Sequence, residues 1–490
     1  MPEYLSPGVY VEEIEIGSKP IEGVSTSTAG FLGETERGPT APRLITSWLE
    51  FQRVFGGYLS DGKYLPHAAE GFFANGGQRL YVARVVDQSA ALATAKLTHG
   101  SDNALTVTAV GEGAWGNNVK VKVESGTMSG FKLLVEYGTE KELFDNLSVS
   151  ESSSDFYTKR VNGISNLIVL SKETGDSGTA PDGPASSTNL SGGSDGTTPL
   201  DMTDFTRTDI DTPGQRKGLT AFKEIDEISI VYAPNAGSVT GLTSALITHC
   251  ENAKDRFAIV DADQGESSIS SLNPRSTYDT KYAAFYYPWL KVYDPLSKAY
   301  KLVPPGGHVC GIYARSDTER GVHKAPANEV VKGAVDLEFA ITKGEQDILN
   351  PRGVNCIRAF PGRGIRVWGA RTLSSDPLWK YVNVRRLFLF LEESIDEGTQ
   401  WVVFEPNNEK LWARVRQSIS EFLTRVWKDG ALMGKTPEEA FFVKCDRTTM
   451  TQDDIDNGRL ICLIGVAPVK PAEFVIFRIA QWQGGSAVTE

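Results

Sequence analysis

Ile228-Ser229-Ile230-Val231-Tyr232 and Arg256-Phe257-Ala258-Ile259-Val260-Asp261 are two apolar, β-rich runs, and between them Leu242, Leu246 and Cys250 fall on one helical stripe. Run, helix and run in that order read as a βαβ unit with a right-handed crossover. The same alternation extends outward. Upstream come an apolar run over residues 29–32, a helix over 66–75 closed by Asn75-Gly76-Gly77, and the strand Leu80-Tyr81-Val82-Ala83-Arg84-Val85-Val86. Downstream, Val330, Ala334, Leu337 and Ile341 stand four, three and four residues apart and predict a helix from Pro326 to about Thr342. The core is therefore α/β, formed by residues 23–95 together with 218–345.

Between the two halves of that core the pattern changes. Leu105-Thr106-Val107-Thr108-Ala109-Val110, Val119-Lys120-Val121-Lys122-Val123 and the run 131–137 alternate with period two, and residues 171–199 are rich in Gly, Ser, Thr, Asp and Pro. These features predict an inserted antiparallel β domain over 96–217, carrying a long loop and projecting outward.

The last third, residues 346–470, reads as a separate α+β unit. Cys356-Ile357-Arg358-Ala359-Phe360 and Ile365-Arg366-Val367-Trp368 flank Pro361-Gly362-Arg363-Gly364, a hairpin signal. A helix over 408–429 follows, capped by Asn408 and stopped by Gly430, with Leu411, Val415, Ile419, Phe422 and Val426 as its buried stripe. Its other face carries Lys410, Arg414, Arg425 and Lys428, interrupted by Glu421; this is either a solvated face or a contact for an acidic partner. Phe441-Phe442-Val443-Lys444-Cys445 and Leu460-Ile461-Cys462-Leu463-Ile464 read as core strands.

Both termini are strand-like, where chain ends are ordinarily polar. Val9, Tyr10, Val11, Ile14 and Ile16 lie in an N-terminal arm (1–22) that ends in a Lys19-Pro20 linker; Phe474, Val475, Ile476, Phe477 and Ile479 lie in a C-terminal arm (471–490) after Val469-Lys470-Pro471. Such ribbons pair either within their own chain or with other chains.

Composition narrows the function. With a formal charge of -12 and its basic residues scattered, the chain is a poor match for direct nucleic-acid binding. Nor does any window resemble a membrane span or a secretion signal. The five cysteines are odd in number and far apart, which reads as reduced thiols of a protein made in a cytoplasm. His308, Cys310 and His323 fit no common zinc spacing, and Asp261-Ala262-Asp263-Gln264-Gly265 departs from a calcium loop. Asp453, Asp454 and Asp456 read as a solvated turn. No phosphate-binding loop, Gly-x-Ser-x-Gly elbow or His-Glu-x-x-His pair is present, so no catalytic residue, cofactor or metal is assigned.

Several stretches together resemble contractile phage tail sheath proteins: Leu5-Ser6-Pro7-Gly8-Val9-Tyr10-Val11-Glu12-Glu13, residues 76–85, Gly307-His308-Val309-Cys310-Gly311-Ile312-Tyr313-Ala314-Arg315, residues 321–328, 355–360, 364–373 and 381–386, and the closing 471–479. The resemblance implies a structural protein without enzymatic activity, a helical homopolymer of stacked rings around an inner tube protein. It further implies that the terminal strands complete sheets in neighbouring subunits, with baseplate and terminal cap proteins as further partners, and neither membrane insertion nor direct nucleic-acid contact. The expected setting is assembly in a bacterial cytoplasm, within a phage tail or injection particle released by lysis. Other readings of the residues are a glycan-binding or hydrolytic module on the inserted domain, or a non-contractile surface-layer protein.

Overall fold

In the computed structural model the residues described are 20–476 and 478, except 61, 101, 174–177, 183–186, 198 and 235. The βαβ unit forms where the apolar runs place it: Ile230–Tyr232 and Phe257–Asp261 pair in parallel, joined by the Leu242–Ala253 helix. They belong to a nine-stranded sheet ordered Glu329–Val330, Gly364–Val367, Val354–Phe360, Ala283–Tyr287, Phe257–Asp261, Ile230–Tyr232, Ala29–Gly33, Leu80–Arg84, Arg43–Ile45. Its six central strands are parallel and its edges antiparallel. Alternate residues feed two cores. Phe31, Ile230, Tyr232, Phe257 and Ile259 face the Gly306–Arg320 helix on one side, while Leu32, Val231, Ala258 and Val260 face the Leu242–Ala253 helix on the other. Burial on both faces is why these strands are apolar throughout.

The Gly306–Arg320 helix is buried along its first nine residues, His308 and Cys310 included, and packs against the Leu65–Ala74 helix. Glycine sets the separation of the two. A Cβ on Gly307 would stand 2.5 Å from the Ala68 Cα, and one on Gly311 would stand 2.3 Å from the Phe72 carbonyl oxygen.

The insertion has its own core, built from Leu105, Val107, Val121, Val123, Leu133, Val135 and their neighbours and enclosed by antiparallel sheets of three and four strands.

Three expectations are corrected. Residues 326–342 do not form a helix: Glu329–Val330 is an edge strand of the main sheet, and Ala334–Leu337 pairs with Leu290–Asp294. Asn328 and Gly333 take left-handed backbone conformations, with φ of 58° and 88°, which no α-helix can contain. The apparent stripe also splits, Leu337 entering one core and Ile341 the other. Second, the hairpin Val354–Phe360 and Gly364–Val367 does not open the C-terminal unit, because its first strand pairs in parallel with Ala283–Tyr287 and so extends the core sheet. Third, the strands expected over 441–445 and 460–464 are Phe441–Lys444 and Leu463–Val466, and among the described residues they pair only with each other.

Replacement of Gly307 by alanine drives a methyl group into helix backbone that cannot swing aside. It is expected to cost roughly 1–3 kcal/mol net in urea denaturation; unchanged stability would show that the two helices are free to separate.

Candidate polymerisation surface

The C-terminal unit is built on the Val382–Thr399 and Glu409–Lys428 helices. Asn408 caps the second, its Oδ1 accepting from the amides of Lys410 and Leu411 at 3.0 and 3.1 Å. Leu411, Val415, Ile419, Phe422 and Val426 are all buried, as their spacing requires. Between the two helices lies a residue from far away in sequence. Ile21 is fully buried in this core, against Gly398, where a Cβ would stand 2.6 Å from an Ile21 methyl group.

The segment after Ile21 is pinned along its length. Arg425 donates to the Ile21 carbonyl, and the Val24 amide donates to Ser394 Oγ at 3.1 Å. Arg386 donates to the Thr26 carbonyl at 2.7 Å, and Thr26 Oγ1 donates to Asp317 at 2.7 Å. Arg386 and Asp317 form a salt bridge at 2.7 Å, with side chains only 3% and 4% exposed. Burial opposes the Arg386 charge, but Asp317 outweighs it and holds the guanidinium above its ordinary value. The root of the N-terminal arm is thereby fastened to both the core and the C-terminal unit.

The C-terminal arm has a comparable root, one that the spacing of residues did not reveal. Glu473 accepts from Arg371 Nε and Nη2 at 2.7 and 2.8 Å, from Tyr381 Oη at 2.9 Å and from Asn350 Nδ2 at 2.8 Å. Burial alone would raise this carboxyl, but the hydrogen bonds from Arg371, Asn350 and Tyr381 prevail and bring it down to about 2. One step further along, Phe474, Val475 and Ile476 are 68%, 69% and 79% exposed and belong to no strand. Phe477 and Ile479, like Val9, Tyr10, Val11, Ile14 and Ile16, lie outside the described residues.

Phe441–Lys444 and Leu463–Val466 form a two-stranded antiparallel sheet. Phe441, Val443, Ile464 and Val466 pack on the C-terminal core, whereas Phe442 and Leu463 are each 54% exposed. The basic face is also in place. Lys410, Arg414, Arg425 and Lys428 are all exposed along the Glu409–Lys428 helix, the outer two about 27 Å apart by helical rise. Two of the four are already engaged, Arg414 over the Trp401 ring at 4.5 Å and Arg425 with the Ile21 carbonyl.

Two adjoining family models match this chain: the phage tail sheath protein central domain over residues 197–373 and the phage tail sheath C-terminal domain over residues 374–481. The chain belongs to the phage tail sheath family. The tail sheath protein of Burkholderia phage BcepMu is 24% identical over 452 residues, covering 87% of each chain. That of Vibrio phage KVP40 is 26% identical over 220 residues, 44% of this chain and 31% of the relative. Among solved structures, the contracted sheath of the PVC extracellular contractile injection system superimposes with a TM-score of 0.63 at 25% identity, covering 98% of this chain and 99% of that one. The contracted helical sheath of the anti-feeding prophage gives a TM-score of 0.62 at 24% identity, covering 98% and 99%. The chain is accordingly a structural subunit of a contractile sheath, of the kind found in phage tails and extracellular injection systems. The family models meet at residues 373 and 374, beyond the 354–367 hairpin.

Two predictions follow from the fastened roots. Because the Glu473 carboxyl sits below its ordinary value of 4.5, its contribution is fully present above that value and is lost as pH falls towards about 2. Amide protection over residues 472–476, taken relative to the intrinsic exchange rate at each pH, should therefore fall across that window, and Glu473→Gln should lower it at neutral pH; protection that does not change with pH or in the variant would remove Glu473 as the anchor. Arg386→Met should lower stability by about 3–5 kcal/mol in denaturant titration, since it leaves the Asp317 charge buried without an opposite charge beside it.

Proposed function

We propose that this sheath subunit polymerises helically around an inner tube, and that the assembled sheath contracts to drive the tube through a target cell envelope. The observation that carries the reading is a sheet of only two strands among the described residues, with the exposed apolar residues 474–476 nearby in the C-terminal arm. A two-stranded ribbon is marginal in water, and among the described residues nothing pairs with the outer edges of Phe441–Lys444 and Leu463–Val466. The exposed Phe474, Val475 and Ile476 have the composition of a strand and pair with no strand among the described residues. Donation of the arms to neighbouring copies supplies both needs: Phe474 to Ile479 from one side, and Val9, Tyr10, Val11, Ile14 and Ile16 from the other. Main-chain pairing of this kind lets domains rotate while the connection persists, because the fastened roots at Ile21 and Glu473 take the load.

Lys410, Arg414, Arg425 and Lys428 form the face towards an acidic inner tube, through ion pairs weak enough to release. The work is stored in assembly as a metastable lattice that gains contacts on shortening. Baseplate and terminal cap proteins are the partners at the two ends of the polymer. The inserted domain, with a core of its own, faces outward, and the particle is assembled in a bacterial cytoplasm and released by lysis.

Deletion of residues 1–16 is expected to leave a folded subunit that forms no long tubes by negative-stain electron microscopy; normal tubes would overturn strand exchange. Charge reversal at Lys410 and Lys428, neither of which holds the linker or a ring, should impair assembly on the inner tube while leaving thermal stability within about 0.5 kcal/mol of the parent. Undiminished co-assembly would exclude this helix as the tube contact.

A further inference from the structure

Phe441 pairs with Val466, Phe442 with Gly465, Val443 with Ile464 and Lys444 with Leu463. One more step along the same register, just past the paired ends of the two strands, brings Cys445 opposite Cys462. The two thiols lie close enough for each to act on the other's ionisation. Both are free thiols, Cys445 fully buried and Cys462 partly exposed. Directly opposed residues of an antiparallel pair have Cα atoms about 4.5–5.5 Å apart, which lies within the roughly 4.4–6.8 Å that a disulfide spans. Cys250, Cys310 and Cys356 are buried elsewhere, in the cores that flank the main sheet.

We propose that Cys445 and Cys462 are a modification site: a dithiol that closes to an intrachain disulfide when the protein meets a low-molecular-weight disulfide outside a reducing cytoplasm. The partly exposed Cys462 thiolate attacks one sulfur of the reagent, whose S–S bond breaks as the new mixed disulfide forms and one reagent thiolate leaves. Cys445, having lost its proton, then attacks Cys462 Sγ and expels the second reagent thiolate. Two protein thiols are oxidised, and the reagent is reduced to two thiols that take up the two protons. Burial, together with the neighbouring Cys445, pushes the Cys462 thiol up to about 12. Exchange is consequently slow at neutral pH and gains about tenfold per pH unit as the thiolate fraction grows. The bond ties the two strands together at the closed end of the ribbon, where Thr449 Oγ1 already donates to the Ile461 carbonyl at 2.8 Å. Its value in resisting tension rests on the polymerisation reading, whereas the bond itself depends on this chain alone.

The test uses the purified, unassembled full chain with oxidised glutathione at about pH 8.5, near the ordinary thiol pKa, followed by alkylation, thiol titration and non-reducing peptide mapping. The expected result is the loss of two of the five thiols and one intrachain link joining the Cys445 and Cys462 peptides, reversed by reductant. In Cys445→Ser the glutathione should instead persist as a mixed disulfide on Cys462. Retention of all five thiols, glutathione adducts alone on the parent chain, or a link through Cys250, Cys310, Cys356 or a second chain would each overturn the proposal. Since no assembly is involved, failure here is separate from failure of strand exchange.

Discussion

The salt bridge between Arg386 and Asp317 joins three parts of the chain that are remote in sequence. Asp317 belongs to the Gly306–Arg320 helix of the core, Arg386 to the Val382–Thr399 helix of the C-terminal unit, and both bind Thr26 of the linker behind the N-terminal arm. A charge pair buried this deeply gives little net stability, since desolvation offsets much of the attraction, but separating the partners strands a charge in an apolar setting. That asymmetry suits a subunit that must move as a body. The guanidinium also lies over the Tyr313 ring at 4.8 Å, so polar and apolar contacts set the same relative placement of core and C-terminal unit.

A rigid centre makes the open ribbon meaningful. Phe441–Lys444 and Leu463–Val466 are supported on one face by the C-terminal core and, among the described residues, left bare on the other, with the Phe442 ring lying over Gly465. A soluble monomer would normally cover or charge such an edge. Here the two strands carry a single charge, the exposed Lys444, while further charges lie on the neighbouring Glu409–Lys428 helix and the apolar residues Phe442, Leu463, Phe474, Val475 and Ile476 remain exposed. Exposed apolar surface of this kind is the mark of an interface. It is consistent with a protein whose working form is a lattice of copies.

The apolar runs 228–232 and 256–261 were legible because a strand covered on both faces has no polar alternative. The helix over 408–429 was legible from its cap and its stripe of five residues. The stretch 326–342 misled because a three-and-four spacing also arises when successive apolar residues enter different cores, and only Asn328 and Gly333 hinted at the break. The buried Gly306–Arg320 helix carries no clean stripe, since a helix covered all round has no polar face to set the period. At the proposed surface, the candidate arms and basic face could be picked out residue by residue. The anchors Ile21 and Glu473 could not, because each depends on partners at least 90 residues away.

What the sequence by itself determined is the local character of each segment: parallel strands in the core, a β insertion, an amphipathic C-terminal helix and apolar strand-like ends, together with motifs enough to indicate the sheath family. Only the tertiary structure decided that the 354–367 hairpin belongs to the core sheet, that Arg425 holds the linker, that Glu473 is the root of the C-terminal arm, and that Cys445 faces Cys462. The physical reason is that periodicity and turn chemistry act over a few residues, whereas sheet order, buried charge pairing and strand register are long-range and are settled only when the whole chain competes for the same partners.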